Sequence, residues 1–140
     1  MKRRILAVLL CLFVFCTILS ACAQQPSMPL YSESNAVNDV TVHVAIVNGE
    51  TTLFDGDVQV KSAGDPTAMM ASQAAFDTLE PESVSTDGFV TAIAGVESDD
   101  ENGWLFYHNG AMAEVGAAEC VIAEGDSVEW KFVNYAEAFA

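Results

Sequence analysis

The feature that most restricts the fold is a change of hydrophobic period along the chain. Over residues 40–46, branched apolar side chains occupy every second position, which is the period of a strand with one buried face. Asn48 and Gly49 follow as a strong turn signal, and a second strand continues to Lys61 with a predicted interruption at residues 55–57. This part of the chain is therefore predicted to form a β-hairpin.

After the hairpin the period becomes helical over residues 66–79, where the apolar side chains fall on one side of a helix. Asp65 is placed to cap this helix, and Pro66 suits its first turn. Strand-like segments then return at residues 89–96, 104–108, 120–123 and 127–133. This order predicts an α+β, β-grasp-like fold, in which one α-helix packs on a mixed β-sheet.

The N-terminus carries a different signal. Three basic residues are followed by an apolar run to Leu19, which is short for a membrane span but suits a signal peptide. The next residues, Ser20, Ala21 and Cys22, resemble the end of the lipobox of bacterial lipoproteins. We expect residues 1–21 to be a lipoprotein signal peptide and Cys22 to be lipidated, rather than a transmembrane anchor or an ordinary secretory signal. The protein would then be lipid-anchored at the extracytoplasmic face of the cell membrane.

The remaining chain divides by composition into three parts. Residues 22–38 are rich in polar residues and proline and are predicted to be a flexible tether, residues 39–135 to be the folded domain, and residues 136–140 to be a tail. Beyond the signal peptide, Lys61 and Lys131 are the only basic residues against 20 acidic ones. Such a charge balance excludes binding to a nucleic acid backbone.

Two motifs in the second half of the domain carry a family resemblance. Residues 104–110 read WLFYHNG, and residues 125–130 read GDSVEW. They resemble the W-x-x-Y-x-N-G and G-D-x-[IV]-x-W patterns of a bacterial domain of unknown function, DUF4430, which is similar to the C-terminal β-domain of transcobalamin and intrinsic factor. The resemblance extends over about residues 40–135.

The resemblance implies a β-grasp-like fold and a ligand related to cobalamin. In the vertebrate vitamin carriers this domain closes over one face of cobalamin, and a separate helical domain supplies most of the rest. The chain shows no such helical domain, and His108 stands where the family usually has an apolar residue. The implied partners are a corrinoid ligand and an uptake transporter, with no cofactor other than the possible ligand cobalamin.

The candidate ligand-binding residues are Trp104, Phe106 and His108, which alternation places on one face of a strand. Leu105 and Tyr107 would lie on the opposite face. A single helix shields one face of a sheet, so we place Trp104 on the face that is open to a ligand and Tyr107 on the packed face. The alternative is that these aromatic residues belong to the core, as we expect for Trp130.

No metal site is predicted from the sequence. His43 and His108 are the only histidines, and their spacing does not suggest a shared ion. The acidic pairs at residues 55–57 and 99–101 lack the spacing of a calcium loop and are interpreted as solvated turns. Cys120 lies in an apolar run, which favours a buried thiol over a reactive one.

The sequence also contains no motif for catalysis. Its serines lack nucleophile-elbow glycines, and no phosphate loop is present, so we expect a protein that is not an enzyme. The first hypothesis is a membrane-anchored ligand-binding lipoprotein, by resemblance one that binds cobalamin or a related corrinoid for uptake. The alternative is a structural or adhesion module that binds a surface protein or a glycan.

Overall fold

The computed structural model describes residues 27–86 and 89–140. The predicted signal peptide and Cys22, the predicted site of lipidation, lie outside these residues. Within them, no helix has the length and apolar character needed to cross a membrane.

The described chain forms a mixed α+β domain that is mostly sheet. Its elements, in chain order, are β1 (Leu30–Ser32), β2 (Asn38–Asn48), β3 (Thr51–Ser62), α1 (Ala68–Phe76), β4 (Val84–Thr86), β5 (Phe89–Ile93), β6 (Val96–Glu97), β7 (Asn102–His108), β8 (Ala111–Met112), β9 (Ser127–Asn134) and α2 (Tyr135–Ala138).

The main sheet has six described strands in the order β1-β3-β2-β9-β7-β8. β2 and β3 form the predicted antiparallel hairpin, while β2 pairs with β9 in parallel and β9 pairs with β7 in antiparallel fashion. The prediction of a mixed sheet with one main helix is confirmed. The predicted interruption of the second strand is wrong, because Asp55 and Asp57 remain paired with Ala45 and His43 across the hairpin.

Alternation along β2 and β3 explains the core under the helix. The side chains on their inner face are branched and completely buried, and α1 packs over them with its alanines. These inner-face residues are Val42, Val44, Ile46, Val58 and Val60. Small residues on the helix let it approach the sheet closely, and the side chains of the helix and of these strands form one packed cluster.

The helix is shorter than the sequence pattern predicted. Thr67 is its N-cap, with an extended backbone (φ −117°, ψ 157°) and a hydroxyl oxygen that accepts from the Met70 N–H. The expected cap, Asp65, lies two residues earlier. Pro66 also precedes the cap, so the predictions that Asp65 caps the helix and that Pro66 lies in its first turn are wrong.

Part of the predicted tether belongs to the sheet. β1 pairs in parallel with β3, and the Pro29 carbonyl accepts from the Gln59 N–H. Glu33 extends the connection through its carboxylate, which accepts from the Ala63 N–H. Among the described residues, the first strand is therefore β1, which lies before residue 40. A three-residue strand is too short to show a period, so the sequence pattern could not reveal it.

The predicted strand over residues 89–96 is two strands. Ala94 and Gly95 both have positive φ angles and turn the chain between β5 and β6. These two strands form a small separate sheet with β4, in the order β4-β5-β6. The strand predicted at residues 120–123 is reduced to one bridge between Thr67 and Val121.

Candidate functional site

The strand that carries the candidate residues is β7. Trp104 and Phe106 are almost completely buried on its inner face, with 6% and 8% of their surface exposed. The Phe106 ring lies 5.5 Å from the ring of Trp130, whose indole N–H donates to the Ser72 hydroxyl of α1 at 2.8 Å. These contacts place Trp104 and Phe106 on the side of the sheet that carries the helix. The prediction that Trp104 lies on the face opposite the helix is wrong.

The helix is too small to cover the whole inner face. Nine residues span only about 14 Å, and a helix is about 10 Å wide, whereas six strands extend over about 24 Å. α1 contacts β1, β2, β3 and β9, while the small sheet approaches β7 through β5. The space left over β7 and β9 is an open pocket of about 480 Å³.

Aromatic side chains form the floor of this pocket. Trp104, Phe106 and Trp130 all line it, and the Trp104 ring packs 5.3 Å from the ring of Phe132. The Trp104 indole N–H is used within the fold, because it donates to the Val96 carbonyl at 2.8 Å. Both indole N–H groups of the floor are therefore occupied, and the floor presents mainly ring surface to the pocket.

The rim of the pocket is apolar and accessible. Phe89 and Phe139 are 74% and 65% exposed, and Met112 and Val115 are also exposed. A contiguous exposed apolar surface of this kind commonly marks a site of interaction. These rim residues were not among the ligand-binding residues predicted from the sequence. Met112 and Val115 lie between β7 and β9 in a segment whose sequence shows no clear period. The signal that could have revealed them is the presence of apolar residues in a segment that is not predicted to contribute to the core.

His108 does not line this pocket. It ends β7, where its Nε2 lies 2.9 Å from Asp126 Oδ2. Asp126 also accepts from the side chain of Asn109 and the backbone N–H of Ala123. The Asn109 hydrogen bond is the main reason that the Asp126 pKa lies below its usual range. His108 therefore shares a strand face with Trp104 and Phe106, but its described contacts join the β7–β8 turn to β9.

His43 and the acidic pair at residues 55–57 meet on the outer face of the sheet. His43 Nε2 lies 2.8 Å from Asp55 Oδ1, and Nδ1 lies 3.1 Å from Asp57 Oδ1. The hydrogen bond to Asp57 is the main cause of a raised His43 pKa, and Asp55 adds to it against the effect of burial. Interpreting this acidic pair as a solvated turn was wrong, because both residues are part of a strand.

Among the described residues, no group of three or more histidine, cysteine or acidic side chains is arranged to hold a metal ion. The second acidic pair is a turn, as interpreted, in which Asp99 Oδ1 accepts from the backbone N–H groups of Glu101 and Asn102. Cys120 is a free, buried thiol, and burial raises its pKa. The prediction that Cys120 is a buried thiol is confirmed.

The architecture is that of a small α+β domain, and its family follows from the sequence. The model of a family described as a domain of unknown function (DUF4430) matches residues 65–134, which is half of the chain. The chain belongs to this family, and the resemblance inferred from the motifs is confirmed. No curated protein matches the chain.

Several solved structures are similar to the chain, including the following two. Haptocorrin, in a crystal structure in complex with Cbi, matches 74% of this chain with a TM-score of 0.58 and 18% sequence identity. A 1.30 Å crystal structure described as a "putative metal binding protein" from Ruminococcus gnavus ATCC 29149 matches 68% of this chain and 97% of its own, with a TM-score of 0.49 and 13% identity. The chain matches only 27% of the haptocorrin chain, and at this identity the likeness shows the fold alone.

Proposed function

We propose that this protein is a lipid-anchored, extracytoplasmic binding protein that receives a corrinoid in the pocket over β7 and β9 and delivers it to an uptake transporter. In this proposal it binds its ligand without transforming it. The observation that carries the proposal is the pocket itself, with a floor of Trp104, Phe106 and Trp130 beneath an exposed apolar rim. Flat ligands suit pockets with aromatic walls and few polar groups.

The arrangement of strands supports a β-grasp-like fold as part of this proposal. The four central strands have the order β3-β2-β9-β7, with the parallel pair β2–β9 in the middle and an antiparallel neighbour on each side. The helix follows the first hairpin and packs on one face of these strands. The fold likeness to haptocorrin in complex with Cbi supports a corrinoid as the class of ligand.

The size of the pocket suggests how a corrinoid would bind. A pocket of about 480 Å³ has room for part of a ligand larger than an ordinary small metabolite, but it cannot enclose a corrin ring with its side chains. We therefore propose that the domain covers one side of the ligand and leaves the other side accessible. That accessible side would be available to a transporter.

The position of the N-terminal strand is compatible with a lipid anchor. β1 and β8 are opposite edges of the main sheet, about 24 Å apart, and the rim residue Met112 belongs to β8. The chain thus reaches the sheet at the edge remote from the pocket. A lipid on Cys22 would leave the pocket open to solvent in this arrangement.

The binding proposal is tested by titrating the full-length chain, in detergent, with dicyanocobinamide and measuring the heat of binding. Removing the Phe139 ring from the rim, as Phe139→Ser, should weaken binding about tenfold, because the ligand would lose about 1.4 kcal/mol or more of apolar contact. Val37→Ser is the matched control, since Val37 is 79% exposed and lies away from the pocket.

Neither substitution should change the unfolding temperature, because both side chains are largely exposed. No binding of the corrinoid, or equal weakening by both variants, would contradict the proposal and favour an adhesion module. The anchor is tested separately by feeding cells a clickable fatty acid, whose label should be lost in Cys22→Ser.

A further inference from the structure

The pocket has an unusual charge environment for a chain with so many ionisable residues. Among the described residues that line it, Glu114 is the one ionisable side chain, and it is exposed. The remaining lining side chains are apolar or aromatic, apart from the glycine at position 116. A ligand in this pocket therefore meets ring surface, aliphatic surface and one negative charge.

The basic residues of the described chain lie on the face of the sheet opposite the pocket. Lys61 and Lys131 alternate with the buried residues of β3 and β9, which places both on the outer face of the sheet. Lys61 Nζ lies 3.5 Å from Asp39, and Lys131 Nζ lies 3.0 Å from Glu129 and 4.6 Å above the Tyr107 ring. Both ammonium groups have acidic partners, and the sheet separates them from the pocket.

The N–H donors of the pocket floor are also occupied. Trp104 donates to the Val96 carbonyl and Trp130 donates to the Ser72 hydroxyl. A carboxylate or phosphate brought onto the floor would lose water without gaining a cation or an indole donor. Burying an ionised group without a partner is costly, whereas an amide or alkyl group carries a much smaller penalty.

We propose that the pocket selects against anionic ligands and accepts flat ring systems whose substituents at the contact are uncharged. This inference rests on the proposed function and narrows its ligand class to corrinoids with amide side chains, as opposed to those with free carboxylates. The overall charge of the protein also disfavours anionic ligands, because the chain has a formal net charge of −15.

The test compares two corrinoids that share one ring system. Cobinamide carries amide side chains, and cobyrinic acid carries carboxylates at the corresponding positions. The two tryptophans of the chain both line the pocket, so quenching of their fluorescence by the corrin chromophore reports occupancy in the full-length protein. We expect cobinamide to bind at least about tenfold more tightly at low ionic strength, and the difference to narrow, without vanishing, as salt screens the surface charge.

Paired charge reversals separate the pocket from the overall charge. Glu114→Lys should raise the affinity for cobyrinic acid several-fold and leave that for cobinamide nearly unchanged. Glu50→Lys changes the net charge equally, but Glu50 lies at the exposed β2–β3 turn and not in the pocket, so it should have little effect.

The outcomes distinguish the two proposals. Equal affinities for the two corrinoids, or equal effects of the two reversals, would overturn the selectivity while the binding function stands. If neither corrinoid quenches the tryptophans or releases heat, the proposed function fails and this inference fails with it.

Discussion

The two halves of the inner sheet face are built differently. Beneath α1, β2 and β3 present branched aliphatic side chains that are 0–1% exposed. Over β7 and β9 the inner face is aromatic, and part of it lines an open pocket. Aliphatic side chains pack closely against a helix whose facing residues are small. The large aromatic rings line the pocket instead, and the indole N–H groups of both tryptophans already donate hydrogen bonds within the fold. The half beneath α1 is therefore closely packed, whereas the other half leaves apolar surface exposed, and it is there that we propose a ligand binds.

Trp130 contacts residues of both halves, and its substitution should lower the free energy of unfolding most. Its ring contacts Phe76 of α1 and Phe106 of β7, and its N–H donates to Ser72. Trp130→Ala should lower the free energy of unfolding by about 3–5 kcal/mol, measured by urea denaturation. Trp130→Phe, which keeps a ring but loses the hydrogen bond, is the control and should cost less. Equal stability of Trp130→Ala and the wild type would show that the halves are independent.

Gly103 lies on the outer face of the sheet, behind the half that carries the pocket, and a substitution there tests how that half is supported. A Cβ at this position would overlap the Tyr135 hydroxyl, so the glycine permits the close approach of α2 to β7. Gly103→Ala should displace Tyr135 and cost about 1–3 kcal/mol, measured by thermal unfolding. Because Tyr135 stacks on Phe139, corrinoid affinity should fall as well. In the double variant Gly103→Ala, Tyr135→Ala, relief of the overlap should recover part of the stability. No recovery would contradict this account.

His43 lies on the outer face of the sheet, behind the half that α1 covers. Its substitution should change the free energy of unfolding least. Its pKa is raised above 6.5, mainly by Asp57. The folded protein therefore binds the proton more tightly than the unfolded chain. The resulting stability is fully present below pH 6.5 and is lost as the pH rises through the raised folded-state pKa. His43 is half-exposed, so the contribution should be only a few tenths of a kcal/mol.

The measurement for His43 is the free energy of unfolding of the wild type and of His43→Asn across this pH range. The difference between them should shrink as the pH rises and should be smaller at high salt. Thr41→Asn is a control on the same strand that removes no titrating group. A difference that grows with pH would contradict the assigned direction of the pKa shift.

Local patterns in the sequence were sufficient for the elements whose signals are short-range. Alternation over residues 40–46, the turns at Asn48 and Asn109, and the helical period before Leu79 all correspond to observed structure. The motifs around β7 and β9 were sufficient to place the chain in its family. These features depend on neighbours within a few residues, so the sequence determines them without reference to the rest of the fold.

Only the tertiary structure decided which face of β7 is packed and where the pocket lies. Alternation shows that Trp104 and Tyr107 point to opposite sides, but the side that meets α1 depends on how β9 pairs with both β2 and β7. The pocket depends on the area that a nine-residue helix leaves uncovered, and the His43–Asp57 contact depends on cross-strand register. These are relations between distant segments, and the energy that selects them comes from packing, which no local pattern contains.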